Sequence, residues 1–130
     1  MDKKAKVPAA QAAPQVPAEK KFELEVEKKK NYVKVNVLGD ITVKTVTLMK
    51  KRTKELIDDK NRNFVFDLSG SNYMDSSGLG FFIGTLKNLK EIGGALHITG
   101  LSAYVSGIFN LINLTSIVSI FEDPKEACKF

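Results

Sequence analysis

From residue 22 onward, apolar residues recur with two alternating periods, and the switches between them divide the chain into nine expected elements. Phe22-Glu23-Leu24-Glu25-Val26-Glu27 alternates strictly between apolar and acidic side chains, as a strand with one wet face does. Lys28–Asn31 reads as a turn, and Val33, Val35 and Val37 resume the two-residue period, so the two runs form an antiparallel hairpin. The glutamates suit an edge strand that must resist pairing with other chains. Gly39-Asp40 ends the hairpin. An amphipathic helix is expected from about Val43 to Asp59, with Val46, Leu48, Met49, Leu56 and Ile57 turned inward and Lys50, Lys51, Arg52 and Lys54 forming a solvated face.

After the polar connection Asp58–Asn63, Phe64–Leu68 is short and largely apolar, as a strand inside a parallel sheet is. The link Ser69–Asn72 leads to Met74-Asp75-Ser76-Ser77-Gly78-Leu79-Gly80 and then to a helical run that Gly93-Gly94 should end. Ala95–Thr99 is the next strand. Ser102 caps a helix whose Val105, Ile108, Phe109 and Ile112 share one face. Ile117–Phe121 is the last strand, and Asp123-Pro124 starts a short terminal helix. The order β-β-α-β-α-β-α-β-α implies an α/β fold: an N-terminal antiparallel hairpin joined to a mainly parallel sheet of about five strands with about four helices. Functional surfaces of such sheets lie at the carboxyl ends of the strands, which is where Met74–Gly80 falls.

Length and charge refine this picture. The 130 residues suffice for one domain, expected over residues 22–130. Residues 1–21 are rich in Ala, Pro and Lys and nearly lack apolar bulk, so they read as a disordered tail. That tail carries five lysines against two acids, hence most of the formal charge of +5. The remaining domain has no basic surface interleaved with stacking aromatics, which argues against direct nucleic-acid binding. A single cysteine, Cys128, excludes an internal disulfide and fits a reducing compartment. No apolar run approaches the roughly 20 residues that span a bilayer, and no apolar signal core follows the basic N-terminus. A cytoplasmic location without membrane insertion is therefore expected.

Met74–Gly80 sits where a helix should begin. Unpaired N–H groups and the helix dipole favour anions there, and glycines let another molecule approach the backbone. Catalytic readings fail on residue inventory. Gly78-Leu79-Gly80-Phe81-Phe82-Ile83-Gly84 places its third glycine one residue late for a dinucleotide fingerprint, and His97-Ile98-Thr99 offers no acidic ribose ligand. No P-loop is present. The one histidine, His97, falls within a strand as a packed residue, so a serine nucleophile lacks a base. No ligand cluster suggests a metal, and no cofactor is expected. The chemistry left is modification. A phosphate adds about −1.5 to −2 charges and can be held at a helix N-terminus while it repels a docked partner. On these grounds either Ser76 or Ser77 serves.

The string Asp75-Ser76-Ser77-Gly78-Leu79-Gly80, preceded by Phe64–Ser69 and followed by Lys90-Glu91-Ile92-Gly93-Gly94, resembles the signature of STAS domains, specifically the bacterial anti-sigma factor antagonists. The resemblance covers about residues 22–129. It implies a non-enzymatic partner switch in which the serine before Gly-Leu-Gly, here Ser77, is phosphorylated. It further implies that the unphosphorylated form sequesters an anti-sigma factor that is also a serine protein kinase. A phosphoserine phosphatase would reset the switch. Asp75, Ser76, Gly78, Leu79 and Gly80 would shape the docking surface, with Asp40 and Thr42 beside it. Gly39-Asp40-Ile41-Thr42 departs from the family's Gly-Glu-Leu-Asp-like stretch by carrying Thr42 at the second acidic position, which bears on how the kinase engages the serine. The alternative is a STAS module serving a different sensory or transport-regulating assembly.

Overall fold

A computed structural model describes residues 22–130; the expected tail, residues 1–21, lies outside the described residues. The alternating N-terminal runs form β1 (Glu23–Lys28) and β2 (Val33–Leu38), paired antiparallel with Val26 opposite Val35. Then follow α1 (Val46–Asp58), β3 (Asn63–Gly70), α2 (Ser76–Glu91), β4 (Ala95–Thr99), α3 (Ala103–Leu111), a 3-10 turn (Leu114–Ser116), β5 (Ser119–Phe121) and α4 (Pro124–Ala127). The sheet order is β1-β2-β3-β4-β5, and every pair after the hairpin is parallel. The α/β class, the hairpin and the numbers of strands and helices agree with the sequence expectation. The acidic strand β1 is indeed an edge.

One face of the sheet carries the core. Val33, Val35, Phe64, Phe66, Leu68 and Ile98 are buried in a single apolar cluster with Met49 and Leu56 of α1, Phe82 and Leu89 of α2, and Val105 and Phe109 of α3. Phe66 is its centre, with edge-on contacts to Phe81 and Phe82 at centroid separations of 5.7 and 5.4 Å. Each such buried side chain contributes about 1.5–3 kcal/mol relative to leaving it exposed. On the other face, neighbouring positions carry Lys34 and Asp67, paired at 3.7 Å, and His97. The His97 ring is spoken for: Nδ1 lies 2.8 Å from the Ala127 carbonyl oxygen, and Phe130 stacks on it at 4.1 Å.

Several boundaries differ from the periodicity reading, each for a local reason. Helix α1 begins at Val46, not near Val43. Residues 42–45 form a turn in which the Thr45 hydroxyl donates to the Asp40 carbonyl at 2.8 Å and accepts from the Thr42 N–H at 2.9 Å. Leu48 points to solvent. Strand β3 continues through Ser69-Gly70 instead of ending at Leu68, because Gly70 still pairs with Leu38 beyond a shift in the β2–β3 register. Ile112 does not extend the apolar face of α3. It follows the last helical residue and is exposed, as is Ile117 ahead of a shortened β5.

Candidate functional site

The site is built from two adjacent loops at the carboxyl ends of β2 and β3. Leaving β3, the chain turns at Ser71, whose buried hydroxyl donates to the Val37 carbonyl at 3.1 Å. It then runs beside the β2–α1 loop. The Ile41 N–H donates to the Tyr73 carbonyl and the Asp75 N–H to the Ile41 carbonyl, both at 3.0 Å. This short parallel bridge pairs Ile41 with Met74, and both side chains are fully buried. The loops are thus anchored by their own apolar residues.

Asp75 occupies the N-cap of α2 in extended backbone geometry. Its Oδ1 accepts from the Ser77 N–H at 2.8 Å, and its Oδ2 accepts from the Val43 N–H at 3.2 Å. One carboxylate therefore satisfies an orphan donor of α2 and a donor of the neighbouring loop. Ser76 and Ser77 are the first two residues of α2, the former exposed and the latter half-buried. Gly78 is buried. A Cβ there would stand 2.5 Å from Met74 Cγ and 2.7 Å from Ile41 Cγ2, so only glycine lets the helix close on the paired loops. Leu79 points into the core, and Gly80 faces open space.

The sequence-selected residues are brought together. Asp75 to Gly80 form the cap and first turn of α2, and Asp40 and Thr42 lie in the adjoining loop. Thr42 has a structural role: its hydroxyl accepts from the Lys44 N–H at 3.2 Å, shaping the entry to α1. Periodicity did not single out three exposed apolar neighbours. Val43, 65% exposed, lies in the turn ahead of α1 and not in the helix that the periodicity predicts from it. Tyr73 and Tyr104 stack on each other in the open at 5.5 Å between ring centroids. Tyr73 adjoins the motif, but Tyr104 opens α3 and becomes its neighbour only through the parallel topology.

Chemically, the arrangement presents two serine hydroxyls on a rigid helix start. Among the described residues no group of three or more His, Cys, Asp and Glu could hold a metal ion. The histidine is engaged on the far face of the sheet.

The STAS domain family model matches residues 23–127. The anti-sigma-B factor antagonist of Bacillus subtilis (strain 168) is 31% identical over 97 residues, covering 75% of this chain and 88% of that protein. The chain belongs to the STAS family of anti-sigma factor antagonists. Solved structures of other proteins share its fold. An anti-sigma factor antagonist from Mycobacterium paratuberculosis superposes with a TM-score of 0.76 at 20% identity, covering 85% of this chain and 93% of that one. The Bacillus cell fate determinant SpoIIAA in its phosphorylated form gives 0.63 at 17% identity, with coverages of 82% and 96%. In this STAS domain no helix among the described residues is long and apolar enough to cross a membrane.

Proposed function

We propose that this STAS domain is the antagonist in a phosphorylation-controlled partner switch and that Ser77 is its phosphoacceptor. The unphosphorylated form binds an anti-sigma factor that is also a serine protein kinase, which frees the sigma factor. Phosphorylation of Ser77 ends that binding, and a phosphoserine phosphatase restores it. The protein acts in the cytoplasm and is not itself an enzyme.

The observation that carries this reading is the position of Ser77: second residue of α2, half-exposed, its backbone N–H held by Asp75. A dianionic group on its side chain would stand beside the Asp75 carboxylate and within the field of the helix N-terminus. The helix N-terminus favours the dianion and offsets its repulsion from Asp75, so the fold tolerates it while the surface bounded by Val43, Tyr73 and Tyr104 is recharged. Exposed apolar and aromatic groups beside a polar switch suit a protein partner, since aromatic side chains dominate binding energy at such interfaces. SpoIIAA, with the same fold, is a phosphorylated protein in one of its structures, which supports the reading.

The test is phosphorylation by the cognate kinase followed by mass-spectrometric mapping. Label confined to Ser77 and lost in Ser77→Ala is the expected result. Undiminished label in Ser77→Ala would remove Ser77 from the role.

A further inference from the structure

Helices α1 and α2 do not close against each other along their whole length. Between them lies an open groove of about 320 Å³, at the small end of the range of roughly 300–1,000 Å³ typical of ligand pockets. Its α2 wall is stripped of side chains at Gly80 and Gly84, where a Cβ would meet nothing within 4 Å. A glycine stripe alone is only a place where something flat fits closely. The polar groups beside it say more.

Thr53 of α1 and Thr85 of α2 both line the groove and are only 5% and 8% exposed. Among the described residues the hydrogen-bond network gives neither hydroxyl a partner. Buried hydroxyls are ordinarily satisfied, so two unpartnered ones on residues that line one cavity mark an unfilled requirement. The same walls carry Lys50, Lys54 and Asn88. Lys54 is engaged by Asp58 at 2.8 Å, whereas Lys50 has no ion-pair partner among the described residues. Ile57 and Phe81 give the groove an apolar lining.

We propose that this groove binds a small planar carboxylate. The flat apolar body lies on the bare Gly80–Gly84 surface against Ile57 and Phe81. The carboxylate accepts from the Thr53 and Thr85 hydroxyls and is neutralised by Lys50. A helix from another protein that docked by an apolar face would cover the glycines but leave both hydroxyls unpaired, so the polar pair favours a small ligand. The site is separate from the Ser77 reading, although Ser77, Phe81 and Thr85 follow one another at four-residue intervals on α2.

The test is a ¹H–¹⁵N NMR titration of the whole chain with sodium 2-naphthoate, without any kinase. Saturable shifts at the amides of Thr53, Gly80, Gly84, Thr85 and Asn88 are expected, with a midpoint below about 1 mM. The neutral analogue 2-naphthalenemethanol should bind at least about tenfold more weakly. Gly84→Leu, whose side chain enters open space, should abolish the shifts, and Thr85→Val and Lys50→Gln should each weaken binding several-fold while the spectrum stays folded. Absence of saturable shifts would overturn the proposal, and the two hydroxyls would then be served by water. So would equal affinity for the neutral analogue, or unchanged binding in Thr85→Val and Lys50→Gln. None of these outcomes bears on Ser77.

Discussion

Asp75 Oδ2 accepts a hydrogen bond at 3.2 Å from the backbone N–H of Val43, 32 positions earlier in the chain. With Oδ1 on the Ser77 N–H at 2.8 Å, the same carboxylate fixes the start of α2 and ties it to the β2–α1 loop. Removing it leaves two backbone donors without their partner. Asp75→Ala should destabilise the domain by about 1–3 kcal/mol, the range for a lost cap plus an unmet donor. Urea unfolding measures the loss, and hydrogen exchange at the Val43 and Ser77 amides should accelerate more than at β3. Unchanged exchange at Val43 would deny the tie between the loops.

Glycines 78 and 80 should respond to alanine with opposite signs. At Gly78 the new methyl collides with the Met74 and Ile41 side chains that anchor both loops. Overpacking of this kind costs about 1–3 kcal/mol. At Gly80 the methyl enters open space on a helix, where Ala exceeds Gly by roughly 0.5–1 kcal/mol. Thermal or urea denaturation of the two variants distinguishes the effects, and equal changes would contradict the packing described around Gly78.

The contrast between these glycines shows what the sequence could and could not convey. Period-two runs in β1 and β2 and the helix signals around Ser76 and Ser102 are local, and local pattern located those elements. The boundaries that slipped were decided by neighbours. Gly70 stays in β3 because Leu38 pairs with it, and Val43 leaves α1 because Thr45 and Asp75 claim the backbone around it. The site was legible as a motif, since its cap and first turn are contiguous. Val43, Tyr73 and Tyr104 join it only through topology, which single-chain periodicity does not encode.

Thr42 tests the contribution of the adjoining loop. Its hydroxyl accepts from the Lys44 N–H, a bond that an aspartate can also make, so Thr42→Asp should fold with stability within about 0.5 kcal/mol of the parent. Under the proposed function it should raise the rate of phosphorylation by the cognate kinase several-fold, because it supplies a carboxylate near the phosphoacceptor. Initial-rate labelling of the two proteins measures this. An unchanged rate would mean that Thr42 is no impediment to the switch.

The stacked pair Tyr73–Tyr104 stands in solvent, 42% and 53% exposed, and contributes little to the core. Replacing both with serine should leave the unfolding midpoint nearly unchanged. As aromatic anchors beside the motif they should nevertheless matter for the partner, with the double variant binding the anti-sigma kinase at least about tenfold more weakly. Full affinity in a folded double variant would place the interface elsewhere on the domain.

The most direct measurement is calorimetric titration of the anti-sigma kinase with two forms of this protein, unmodified and stoichiometrically phosphorylated at Ser77. Saturable binding is expected of the unmodified form, with an affinity at least about a hundredfold lower after phosphorylation, from a dianion placed in a docked surface. Equal affinities for the two forms would contradict it.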